Sequence, residues 1–70
     1  MKPISSHYIL GIKEGRSFLN HYPDISLDEI KGEIDAFKRL MRSHSQPMKD
    51  VFKGSLDFWK NQLEIKGKTK

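Results

Sequence analysis

Seventy residues without a cysteine and with a formal net charge of +4 admit one domain, and at this length a single core supplies only roughly 3–5 kcal/mol. Disulfides and thiolate metal sites are excluded as reinforcement, which leaves self-association into a dimer or a slightly larger homo-oligomer. No stretch approaches the roughly 18 apolar residues of a membrane span, and residues 1–10 carry no signal-like apolar run, so a cytoplasmic protein with no membrane partner is expected.

In chain order, the segment from Ser5 to Tyr22 places Tyr8, Ile12 and Leu19 on one face, with Gly11 and Gly15 close by and Pro23 as a stop. This predicts a helix over about residues 6–21. Each glycine costs about 1 kcal/mol relative to alanine in a helix interior. The pair at i and i+4 therefore reads in two ways, as a close helix crossing or as a helix frayed in the free chain.

Ser26-Leu27-Asp28-Glu29 is a capping box, flanked by Ile25 and Ile30 at the positions of a hydrophobic staple. Asp28 and Glu29 suit the positive end of a helix dipole, while Arg39, Arg42 and His44 suit the negative end. A helix over about residues 27–43 follows, with Leu27, Ile30, Ile34, Phe37 and Met41 forming a narrow apolar seam. Gly32 is a small internal cost.

The stretch Arg42-Ser43-His44-Ser45-Gln46-Pro47 interrupts the helical pattern. With Ser45 as the N-cap and Pro47 in the first turn, a second long helix is expected over about residues 47–64. Its apolar residues form two stripes: Met48, Phe52, Leu56, Trp59 and Leu63, and, turned to the side, Val51, Phe58 and Ile65. A helix-turn-helix would need a steep crossing at the turn, whereas seams that continue along both helices favour a near-antiparallel hairpin. The expected architecture is all-α, an antiparallel helical hairpin with a shorter N-terminal helix. Residues 1–65 would form the domain and residues 66–70 a basic disordered tail.

Charge is striped along the chain. The block from Asp24 to Phe37 carries five acids against Lys31, whereas Lys38, Arg39, Arg42, Lys49 and Lys53 stand against Asp50 alone in the next sixteen residues. The five cations would gather at the hairpin tip. There they would contact nucleic-acid phosphates or an acidic partner, or simply form a solvated end that complements the helix dipole. No aromatic residue interleaves them, so a stacking platform for single strands is not expected.

The seam of Val51, Phe58 and Ile65, with the adjacent Trp59, is the expected oligomer or partner interface. A hairpin alone would leave the seam exposed, and an exposed apolar stripe marks an interaction surface unless the first helix covers it. Trp59, on the main stripe, reads most simply as core. His7, His21 and His44 are scattered without ligand spacing. The carboxylates of the capped helix lie on its solvated side, and the serines look like caps and turn residues. No catalytic, cofactor or metal site is expected, and the chain reads as non-enzymatic.

With the stretch Tyr8-Ile9-Leu10-Gly11-Ile12-Lys13-Glu14-Gly15-Arg16, the hairpin seams and the short basic ending, the chain resembles the small accessory proteins of the early exo-xis region of lambdoid bacteriophages across about residues 8–65. The resemblance implies a helical, self-associating protein of the host cytoplasm. Such a protein would influence phage development through a protein partner and would have no catalytic residues. The alternative is a small basic DNA-binding regulator that uses the hairpin tip.

Overall fold

The computed structural model describes residues 5–68. Three helices, α1 (Ser6–His21), α2 (Leu27–Ser43) and α3 (Met48–Lys68), pack compactly, with no strand among the described residues.

Local chemistry sets the ends of α1 and α2. Ser5 is extended and its Oγ accepts the His7 amide at 3.1 Å, satisfying a first-turn donor. At the other end the Tyr22 amide donates to the Phe18 carbonyl at 3.0 Å before Pro23 stops the helix. The box at Ser26 closes in both directions, with the Glu29 amide on Ser26 Oγ at 3.1 Å and the Ser26 amide on Glu29 Oε1 at 3.3 Å. At the end of α2 the His44 ring and the Ser43 hydroxyl both donate to the Leu40 carbonyl, at 3.0 and 3.3 Å.

α3 differs from expectation at both ends. Ser45 contributes its backbone carbonyl, which accepts the Lys49 amide at 3.1 Å, and Pro47 stands just outside the first helical residue. At the far end the helix continues through Lys66, Gly67 and Lys68, where a disordered tail was expected. The reason is tertiary. Lys66 Nζ donates to the Ile25 carbonyl at 2.9 Å and to the Pro23 carbonyl at 3.5 Å, while Lys68 pairs with Glu64 one turn back. The rest of that expected tail, residues 69–70, and the start of the expected domain, residues 1–4, lie outside the described residues.

α3 is the centre of the fold. Both other helices pack on it, whereas no Cα of α1 comes within 8 Å of a Cα of α2. The core is Ile25, Ile30, Ile34, Leu56 and Trp59, with Leu19, Phe37, Met41, Phe58 and Leu63 partly buried around it. Trp59 is only 1% exposed and receives Phe18 and Phe58 edge-on, with centroids at 5.6 and 5.1 Å. Phe52 of α3 meets Phe37 and His44 near the turn, and Lys66 meets Ile25 at the other end. The two helices therefore run alongside one another in opposite senses.

α1 runs in the same sense as α3 and approaches it to backbone contact. A Cβ placed on Gly11 would collide with the Val51 carbonyl oxygen and stand 2.8 Å from the Ser55 nitrogen. One placed on Gly54 would collide with the Tyr8 carbonyl oxygen. Ser55, 2% exposed, donates its hydroxyl to the Gly11 carbonyl at 2.9 Å, and Tyr8 donates to Asp57 Oδ2 at 2.6 Å. Of the two readings of the glycine pair, the close crossing is the one realised. The helix-propensity cost of Gly11 is offset by a contact that no larger residue permits.

Candidate interaction surfaces

The packing relocates the residues that the sequence nominated for an interface. α1 lies over Val51 and Phe58: the Val51 carbonyl faces Gly11, and the Phe58 ring faces Gly15. Both are half-buried within the single chain, and Trp59 is core. Of that set only Ile65, 47% exposed, is left on the surface.

A different apolar surface takes its place. Because α1 and α2 both lean on α3 with no Cα of one within 8 Å of a Cα of the other, a groove opens between them above α3. Its middle, about 180 Å³, has Ser55 and Trp59 as floor, Glu14, Gly15 and Phe18 as one wall, and Glu33 and Phe37 as the other. Met48 stands two turns before Ser55 on the same side of α3 and extends the groove toward the turn, whereas Leu10 lines a shallow outer depression of α1 with Ser6, His7, Ile9 and Lys13. Leu10, Phe18 and Met48 are 45%, 39% and 44% exposed. Two of the six exposed large apolar side chains among the described residues, Phe18 and Met48, therefore lie along one concave strip. Tyr22, stacked on Phe18 at 5.0 Å, stands at its end.

Sequence reasoning did not nominate this strip. Glu14 and Phe18 stand one turn apart beside the glycine face, which was the available signal. The glycine face next to it competed for the same helix, and only the docking of α1 shows which side is left open.

The cations nominated for the tip are all exposed, but they do not form one set. Arg39 is paired with Asp35 at 2.8 Å. At 100° per residue, Arg39 also projects about 60–100° away from the side of α2 that carries Lys38 and Arg42.

Among the described residues, one titratable group is clearly displaced from its ordinary value. The hydrogen bond from Tyr8 to the Asp57 carboxylate pushes the phenol pKa upward, with burial and the nearby negative charge adding to the effect. This bond ties α1 to α3 and is structural in character. Among the described residues, no group of three or more His, Asp or Glu side chains is placed to hold a metal ion. No helix among them is long and apolar enough to cross a membrane. Comparisons with protein-family models, with curated proteins and with solved structures give no significant match to the chain.

Proposed function

We propose that this protein is a non-enzymatic protein-interaction module that receives an amphipathic helix of a partner protein in the groove between α1 and α2. The observation that carries the reading is the open strip of Phe18, Phe37 and Met48 above Trp59. Three helices leave open the position that a fourth would fill, and helix-in-groove recognition uses apolar anchors at helical spacing on the incoming segment. Glu14 and Glu33 stand on opposite walls, so the favoured occupant carries Lys or Arg beside its apolar residues. The same two carboxylates disfavour a second copy that would present its own groove face to face. A small adaptor of this kind suits the regulatory role in phage development that the resemblance to exo-xis region accessory proteins implies.

The test is site-specific photo-cross-linking. A photoreactive residue replacing Phe18 should trap one helical segment of one protein, whereas the same residue replacing Ile9, on the outer side of α1, should not. With that partner purified, Met48→Asp, at an exposed position, should weaken binding with little change in circular dichroism melts. Phe18 also packs on Trp59, so Phe18→Asp should abolish binding at a temperature where circular dichroism shows the helices retained. Equal trapping from both positions, or binding that survives Phe18→Asp, rejects the groove as the site.

A further inference from the structure

We infer that the face of the α2–α3 pair opposite the groove binds duplex nucleic acid through its phosphates, independently of the groove and without sequence preference. At 100° per residue, Lys31, Lys38 and Arg42 fall within about 40° of one another on α2, to one side of its buried seam. Lys49, Lys53 and Lys60 fall within about 40° of one another on α3, on the side opposite the groove, with Lys53 beside Ser5 and Tyr8 at the start of α1. Because the two helices run in opposite senses, these sectors open on the same side of the pair. All six cations are exposed, and the ion pairs among the described residues, Arg39 with Asp35 and Lys68 with Glu64, use none of them.

Of the carboxylates near this face two are paired with other cations, whereas Asp50, Asp57 and, one turn before Lys31, Asp28 are in no ion pair among the described residues. Asp35 holds Arg39, Glu64 holds Lys68, Asp50 accepts from Gln46 at 2.6 Å, and Asp57 accepts from Tyr8. Six exposed cations against Asp28, Asp50 and Asp57 leave the face positive on balance.

Three features select duplex nucleic acid among polyanions. Among the described residues, the exposed large apolar side chains lie elsewhere: Phe18, Tyr22 and Met48 along the groove, Ile9 and Leu10 on the outer side of α1, and Ile65 on the α1 side of α3. Leu56, at the base of the cationic face, is buried. A protein partner would need an apolar or aromatic anchor that this face lacks, and a membrane surface would need residues to insert. The absence of an exposed aromatic there argues against single strands, which are held by base stacking.

The dimensions also match. Each row spans about 16 Å along its helix, and the rows are separated by about 8–10 Å, the usual distance between packed helix axes. With flexible stems this is the scale of phosphates flanking a groove of B-form DNA. No Asn or Gln on either row is placed to read base edges, so the binding should be indifferent to sequence.

The test is fluorescence anisotropy with two labelled duplexes of unrelated sequence, titrated at several salt concentrations. Both should bind alike at low salt. With about five phosphates neutralised, affinity should fall a few hundred-fold between about 50 and 200 mM salt. Lys38→Glu with Arg42→Glu on α2, and Lys49→Glu with Lys60→Glu on α3, should each weaken binding more than tenfold and flatten the salt dependence. Lys13→Glu with Arg16→Glu on α1 changes the net charge equally and should leave most of the affinity. Phe18→Asp should not alter duplex binding, which separates this proposal from the groove. The proposal is overturned by no binding at low salt, by equal loss in the α1 control, or by retention on phosphatidylserine vesicles or an acidic protein in preference to the duplex.

Discussion

Two glycine-to-alanine substitutions, identical in chemistry, should move stability in opposite directions. Gly32 sits in the interior of α2 with nothing within 4 Å of an added Cβ. Alanine there should gain about 1 kcal/mol from helix propensity alone. Gly11 makes the same intrinsic gain, but its Cβ would strike the Val51 carbonyl oxygen and stand 2.8 and 2.9 Å from the Ser55 nitrogen and Val51 carbon. These are backbone atoms of a packed helix, so relief requires α1 to move off α3. Overpacking of this kind costs about 1–3 kcal/mol. Separation also stretches the buried bond from Ser55 to the Gly11 carbonyl, for about 1–3 kcal/mol more when a buried donor loses its partner. After the propensity gain, the net loss is about 3 kcal/mol. That is comparable to the whole stability of a domain this size. Thermal and urea unfolding followed by circular dichroism would read both variants. At about 4–8 °C per kcal/mol, Gly32→Ala should raise Tm by several degrees, and Gly11→Ala should lower it by more than about 12 °C or leave α1 undocked. A Gly11→Ala protein as stable as Gly32→Ala would refute the close crossing.

Further outcomes follow from the same contacts. At Gly15 the obstacle is the Phe58 ring, 2.5 Å from an added Cβ, which can swing aside, so Gly15→Ala should cost less than Gly11→Ala in the same melts. Tyr8→Phe should lose about 1 kcal/mol, the net worth of its half-exposed bond to Asp57. Because the phenol pKa is raised in the folded state, this contribution is fully present below about pH 10 and is lost as pH rises through the raised value. Near-ultraviolet absorbance titration should therefore show one tyrosine ionising late, and Asp57→Asn should bring it back toward the ordinary range. Trp59→Ala should cost about 3–5 kcal/mol and leave an unfolded chain, whereas a cooperative melt would show that the core is not centred there. A homo-oligomer seated on Ile65 predicts that Ile65→Asp yields monomer mass in light scattering, and an unchanged mass removes Ile65 from any such interface.

What the amino-acid sequence determined by itself is local. The start of α1 at Ser6 and its stop before Pro23, the Ser26 box and the seam of α2 all depend on groups within a few residues of one another. Hydrogen bonds to first-turn amides and apolar spacing are properties of a short segment, and they are legible without a partner. The all-α class follows from the same signals.

Tertiary structure decided everything that depends on a neighbour's position. Gly11 and Gly15 weaken a helix in isolation and bring it to backbone contact in company, and only the place of Gly54 and Ser55 on α3 selects between these outcomes. The end of α3 moved from Glu64 to Lys68 because Lys66 reaches the carbonyls of Pro23 and Ile25, more than forty residues away in sequence. Val51 and Phe58 became half-buried because α1 docks on them, and the same docking left open the groove of Phe18, Phe37 and Met48. The two cation rows likewise belong to separate helices and become one face only because α2 and α3 run in opposite senses. Periodicity states which residues share a side of one helix, and the relative placement of helices states which of those sides is left for a partner.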